Sequence, residues 1–160
     1  MSTSPAPAQS ERLKYPGLMP LEVAVLKEWL RLHESEYTSF DYNVRTGTGT
    51  DPGPTYPQNI RDMGVAVTQK RIDAIAWNGN VPTLIEVKNR ATLTAVGQIL
   101  AYKVLFKQDN PLSPDPKLLL VAAKFDPDVY AVLQSHGVDY AIVALDPRFI
   151  PQRVFPIPAK

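Results

Sequence analysis

The sequence predicts an α/β fold in which a mixed central sheet is flanked by helices. Three observations carry that expectation. Two strand-patterned segments, 66–77 and 82–88, meet around a tight turn at Asn78-Gly79-Asn80. From there helical and extended patterns alternate to residue 145, as crossover connections require. One extended segment, KLLLVAAKF at 117–125, is apolar almost throughout, the pattern of a strand covered on both faces.

The elements follow in order. Pro20 suits the first turn of a helix over 20–33, where Leu21, Val25, Trp29 and Leu32 recur at helical spacing. Residues 37–45, aromatic and β-branched, read as a strand. Residues 46–64 are rich in glycine and proline and read as a long loop: a functional lid or a disordered insertion. A helix is expected over 92–108, capped by Thr92 or Thr94, with Ala95, Ile99, Tyr102 and Phe106 on one side and Gly97 marking close packing on the sheet. After the 117–125 strand comes a short helix with Asp126 as its cap and Gly137 closing it, then a strand over 138–145. The domain is expected over 17–146, with a flexible lead over 1–16 and a proline-rich tail over 147–160.

Composition narrows the function. The 160 residues suit one domain, and 44% apolar content is enough to pack a core. The absence of cysteine excludes disulfides and thiolate metal sites, and fits a cytoplasmic protein. No apolar run is long enough to span a membrane. A net charge of +1 argues against a binder that relies on non-specific phosphate attraction alone, while allowing a local basic groove. No phosphate-cradling glycine loop for ATP is present.

The chemistry concentrates in the hairpin. A turn at Gly79-Asn80, or a four-residue loop over 78–81, sets Asp73 opposite Glu86; a neighbouring register leaves them diagonal on the same face. Lys88, two residues beyond Glu86, shares that face. Facing carboxylates repel unless a counter-charge joins them, and Mg²⁺ or Mn²⁺ would do so, with the Val87 carbonyl as a further ligand. Lys88 then suits holding or deprotonating a water, or stabilising phosphate charge. In the following helix Gln98 and Tyr102 form an i,i+4 pair. Lys103, Lys107 and Arg90, with Arg45 and Arg61 around the long loop, are candidate phosphate contacts. His33 and His136, both at helix ends, are expected to be structural.

Asp73, then Glu86-Val87-Lys88, then Gln98 and Tyr102 resemble the PD-(D/E)XK nuclease superfamily, whose fold is restriction-endonuclease-like; the last pair is similar to the QxxxY motif of its RecB-like branch. Arg71-Ile72 precedes Asp73 where the motif would have proline. The resemblance implies a core order of helix, three strands, helix, strand. It also implies Asp73 and Glu86 as metal-binding acids, Lys88 as the catalytic lysine, Gln98 and Tyr102 as accessory groups, and an acid from the first helix, Glu22 before Glu28, as a further ligand. The function expected is Mg²⁺- or Mn²⁺-dependent hydrolysis of DNA. The alternative is a catalytically silent relative that serves as a binding or assembly subunit, with the proline-rich termini joining copies or a partner. An RNA-directed nuclease is a third reading.

Overall fold

In a computed structural model of the protein, which describes residues 14–149, the hairpin is the element from which the sheet grows. Its strands pair Asn78 with Val81, Trp77 with Pro82 and Ala74 with Ile85. Gly79 has φ +61° and Asn80 is not among the positive-φ residues, as a turn with glycine first requires. Pro82, which has no N–H to give, therefore falls where none is needed.

The sheet has five strands in the order β1 (Ser39–Thr46), β2 (Lys70–Asn78), β3 (Val81–Ala91), β4 (Lys117–Phe125), β5 (Asp139–Ile142). β1, β2 and β3 are antiparallel neighbours, and β4 and β5 continue parallel to β3. Helix α1 (Pro20–His33) precedes the sheet, α2 (Gln58–Thr68) lies between β1 and β2, and α3 (Leu93–Asp109) and α4 (Pro127–Ser135) make the crossovers to β4 and β5. Both crossovers step the same way across the sheet, so connections of one hand place both helices on one face. That face buries Ile75, Leu84, Leu118 and Leu120 under Val96, Ile99, Phe106 and Leu133. The other packs Ile85, Val87, Leu119 and Val121 against Val25, Leu26 and Trp29 of α1. The α/β fold with a mixed sheet flanked by helices is thus observed, in the expected core order with α2 added.

Several expectations change. Residues 66–68 are the end of α2, and β2 starts only at Lys70. The second half of the expected 46–64 loop is helical although Gly64 and the β-branched residues after it weaken a helix. Tertiary contacts supply what propensity lacks: Gly64 lies so close to Pro52 that an added Cβ would sit 2.7 Å from its ring. The remaining loop is tied down, with Gly47 N–H donating to Asp109 Oδ2 and Thr50 N–H to Thr68 Oγ1. Leu32 is exposed because α1 buries Val25, Leu26, Trp29 and Leu30 instead. Gly97 meets open space rather than the sheet. Thr92 and Asp126 occupy cap positions without side-chain capping bonds. Strand 138–145 shortens to β5. Most of the expected lead and tail, residues 1–13 and 150–160, lies outside the described residues. Tyr15, assigned to the lead, is buried, its ring 4.9 Å from that of Tyr42.

Two local features interrupt the sheet. Pairing between β2 and β3 stops at Ala74–Ile85, while β2 stays paired to β1 as far as Lys70 and β3 to β4 as far as Ala91. The sheet forks: β1–β2 is one tine and β3–β4 the other. At the base of the fork, Asn43 adopts φ +54°, and neither Asn43 nor Asp73 takes part in the β1–β2 ladder. The strands change face there. Tyr42 and Ala74 belong to the α1 side, whereas Val44 and Ile72 belong to the α3 side. That exchange takes Asp73 out of the regular alternation.

Candidate active site in the sheet fork

Asp73 stands where β2 leaves β3. Its Oδ2 accepts the Val87 N–H at 2.8 Å, replacing a ladder bond that the fork removes. In a strand the N–H and C=O of one residue point the same way, so the Val87 carbonyl also faces the fork. Glu86 is 1% exposed. Its Oε1 accepts from Lys88 Nζ at 2.6 Å, while the buried Oε2 has no hydrogen-bond partner. An unpartnered buried carboxylate oxygen is costly, and its position beside a second carboxylate makes it more so.

The electrostatics follow from burial and crowding. Burial, then the charge of Glu86, pushes the Asp73 carboxyl up to about 8, against the Val87 hydrogen bond and Lys88, which pull it down. Burial also raises Glu86, partly offset by the charge and hydrogen bond of Lys88. Burial alone would lower Lys88, but Glu86, with Asp73 and Glu22 behind it, holds it above the usual lysine value. Lys88 is therefore held in its charged form by the acids around it. Tyr102, buried on α3, is raised by burial and then by the charges of Glu86 and Asp73, and so lies within their field. Gln98 sits one turn earlier on α3 and is half-buried.

Asp73, Glu86, Val87 and Lys88 thus meet in one place, with Tyr102 near them. Glu22 lies four residues before Leu26 and seven before Trp29, on the sheet-facing side of α1, and its charge reaches Glu86 and Lys88. Its Oε2 is engaged by the Met19 N–H at 2.9 Å, however, as a cap of the first turn. Among the described residues, no group of three or more His, Cys, Asp or Glu is placed to hold one metal ion. Glu28 pairs with Arg31. His33 bonds Glu36 and stacks on Trp29, and His136 is the C-cap residue of α4.

The candidate phosphate contacts divide. Arg61 is held by Asp51, Arg90 by Asp126, and Lys107 by Asp115 and the Ser113 carbonyl. Arg45 is exposed and has no such partner among the described residues. Sequence reasoning missed its neighbour Arg71, directly opposite it on β2, and Lys124, opposite Arg90 on β4. Only the long-range register reveals these pairs; no local signal does.

No family model matches the chain, and no curated protein matches it. Among solved structures it is similar to EndoMS in complex with double-stranded DNA, at 15% identity and TM-score 0.48, over 79% of this chain and 46% of that one. It is also similar to a protein of unknown function, AF1548, at 13% identity and TM-score 0.45, over 76% of this chain and 57% of that one. This chain therefore spans about half the length of each. Among the described residues, no helix is long and apolar enough to cross a membrane.

Proposed function

We propose that the protein is a metal-dependent nuclease of the PD-(D/E)XK type, hydrolysing DNA phosphodiester bonds at the fork. The observation that carries this reading is the unpartnered Glu86 Oε2 beside Asp73, where the β2–β3 ladder ends. A hydrophilic pair so placed fits a divalent cation. Mg²⁺ or Mn²⁺ would be held by Asp73, Glu86 and the Val87 carbonyl, with waters filling the remaining positions. When bound, such an ion supplies Lewis acidity and a water of lowered pKa.

The chain's own groups do the rest. Asp73, fixed through Val87 N–H, keeps its second oxygen turned to the site. Lys88 is positive at neutral pH and can stabilise charge on phosphate oxygens. Tyr102 supplies a neutral hydroxyl, and Gln98, one turn away, an amide to orient water, in line with the RecB-like pattern. Against burial, Glu86 first, with Asp73 and Glu22 behind it, favours the charged form of Lys88.

A silent binding or assembly subunit is the second reading. The tight Lys88–Glu86 ion pair and the engagement of Glu22 as a cap favour it, because both occupy groups that a loaded site would use. One experiment separates the two. Purified protein is incubated with duplex, branched and single-stranded DNA and with RNA, in Mg²⁺, Mn²⁺ or EDTA. Metal-dependent cleavage that D73A abolishes supports the nuclease. No cleavage of any substrate, together with a defined oligomer in solution that dissociates on removal of residues 1–13 and 150–160, establishes the assembly role.

A further inference from the structure

We infer that Arg45 and Arg71 form a phosphate clamp on the β1–β2 tine, gripping the backbone of a DNA strand that lies across the open end of the fork. The inference rests on the nuclease reading, since the ligand it names is that enzyme's substrate.

Arg45 and Arg71 are directly opposite in the β1–β2 register, so their side chains share one face. Their neighbours Val44 and Ile72 pack toward α3, which sends the arginines to the other face, where α1 covers β3 and β4. Arg45 is exposed and Arg71 half-buried. The four other arginines described, Arg31, Arg61, Arg90 and Arg148, are each paired with a carboxylate. These two have no ion-pair partner among the described residues. Asp109 reaches the same end of β1, but its Oδ2 accepts the Thr46 hydroxyl and the Gly47 N–H.

Like charges set directly opposite each other in a sheet destabilise it, so folding gives no reason for the pair. Protection of an exposed strand edge against stray pairing would explain Arg45, which lies on the edge strand. Beyond Ala74–Ile85 β2 is open as well, so edge protection could place a charge at each position, but it leaves the two like charges directly opposed and unbalanced. A bridging anion explains both. Guanidinium groups bind phosphate oxygens in a planar, bidentate manner that lysine cannot reproduce.

The position suits a substrate strand. Arg71 precedes Asp73 by two residues, roughly 6.6 Å along the strand. Lys70 adds a further cation on this tine and Lys124 one on the other, where Lys88 and Arg90 are engaged by Glu86 and Asp126. In a chain of net charge +1, this gathers cations at the sheet end that holds the two acids. The shared surface is that end, which both faces border.

Fluorescence anisotropy with a fluorescein-labelled duplex and a single-stranded DNA oligonucleotide, in EDTA and over a range of salt, tests the clamp. R45A/R71A is expected to bind about tenfold or more weakly and to lower the salt slope by about two, one for each lost phosphate contact. R45K/R71K should retain most of the slope but lose affinity. K117A, at the far end of β4, should bind as wild type does. The double alanine variant should melt at or above the wild-type temperature, since it removes a repulsion; this separates lost contact from lost fold. If wild type binds DNA and R45A/R71A binds equally with an unchanged slope, the clamp is wrong and the nuclease reading stands. If wild type binds neither the duplex nor the single strand, the clamp and the reading as a DNA nuclease fall together.

Discussion

Replacing Asp73 by Asn should stabilise the protein at neutral and alkaline pH while abolishing its site. Asparagine keeps a side-chain oxygen to accept the Val87 N–H and removes the charge that faces Glu86. A carboxyl whose folded pKa lies above its unfolded value holds a proton in the folded state that the unfolded chain has lost. Its contribution therefore falls as pH rises through the interval between the two values. For Asp73 that interval runs from 3.8 to about 8. At about 1.4 kcal/mol per unit the ceiling is ~6 kcal/mol, and because the proton belongs to the Asp73–Glu86 pair, the expected gain for D73N at pH 8 is ~2–3 kcal/mol. Near pH 4 the gain should vanish. Urea unfolding in EDTA, followed by tryptophan fluorescence across this range for both proteins, gives the difference directly. A D73N protein destabilised at every pH, or a gain that does not change with pH, would refute the reasoning.

The same site yields further expectations. Calorimetric titration with Mn²⁺ should show binding that D73A eliminates and that weakens as pH falls, because the carboxyl pair must release its proton; equal binding by D73A removes the site. K88M should fold but lose cleavage by about 10²–10⁴-fold, and wild-type rates in K88M would make Lys88 a bystander. Two glycines should respond oppositely to alanine in thermal melts. G97A should stabilise by ~0.5–1 kcal/mol, since it is helical and its Cβ meets open space. G49A should destabilise by ~1–2 kcal/mol or more, because Gly49 has φ +65° and an added Cβ would strike the Val65 carbonyl.

What was legible in the sequence was what local rules control. The turn expected at Gly79-Asn80 is the register observed, and either register weighed from the sequence brought Asp73 and Glu86 to one place. Continuous apolar character marked β4 as doubly covered, and helical spacing placed Ala95, Ile99, Tyr102 and Phe106 in the core. The errors have a common cause: they depend on contacts distant in sequence. Helix α2 forms on support from Pro52 and Asp51 that its own residues do not announce. The free cations differ from the paired ones only because Asp51, Asp126 and Asp115 fold back to three of them. Arg71 gains meaning only when β1 brings Arg45 beside it.

The fork links stability to chemistry. Separating β2 from β3 beyond Ala74–Ile85 strips ladder partners from the backbone at that end, a cost that a continuous sheet would avoid. Part of it is offset by Asp73, whose carboxylate takes over the Val87 N–H. The Val87 carbonyl faces the same gap by strand alternation, so the group that repairs the sheet also borders the site. Apolar cores on both faces, through Ile75 and Leu84 on one and Ile85 and Val87 on the other, hold the register on either side of the gap. Two acids can then be kept together against their mutual repulsion, with Lys88 neutralising only one of the charges. The remaining negative charge is not balanced by any described side chain in contact with it. A divalent cation would balance it and a proton does so in its absence, and for that reason metal affinity, stability and pH are expected to vary together through this one pair.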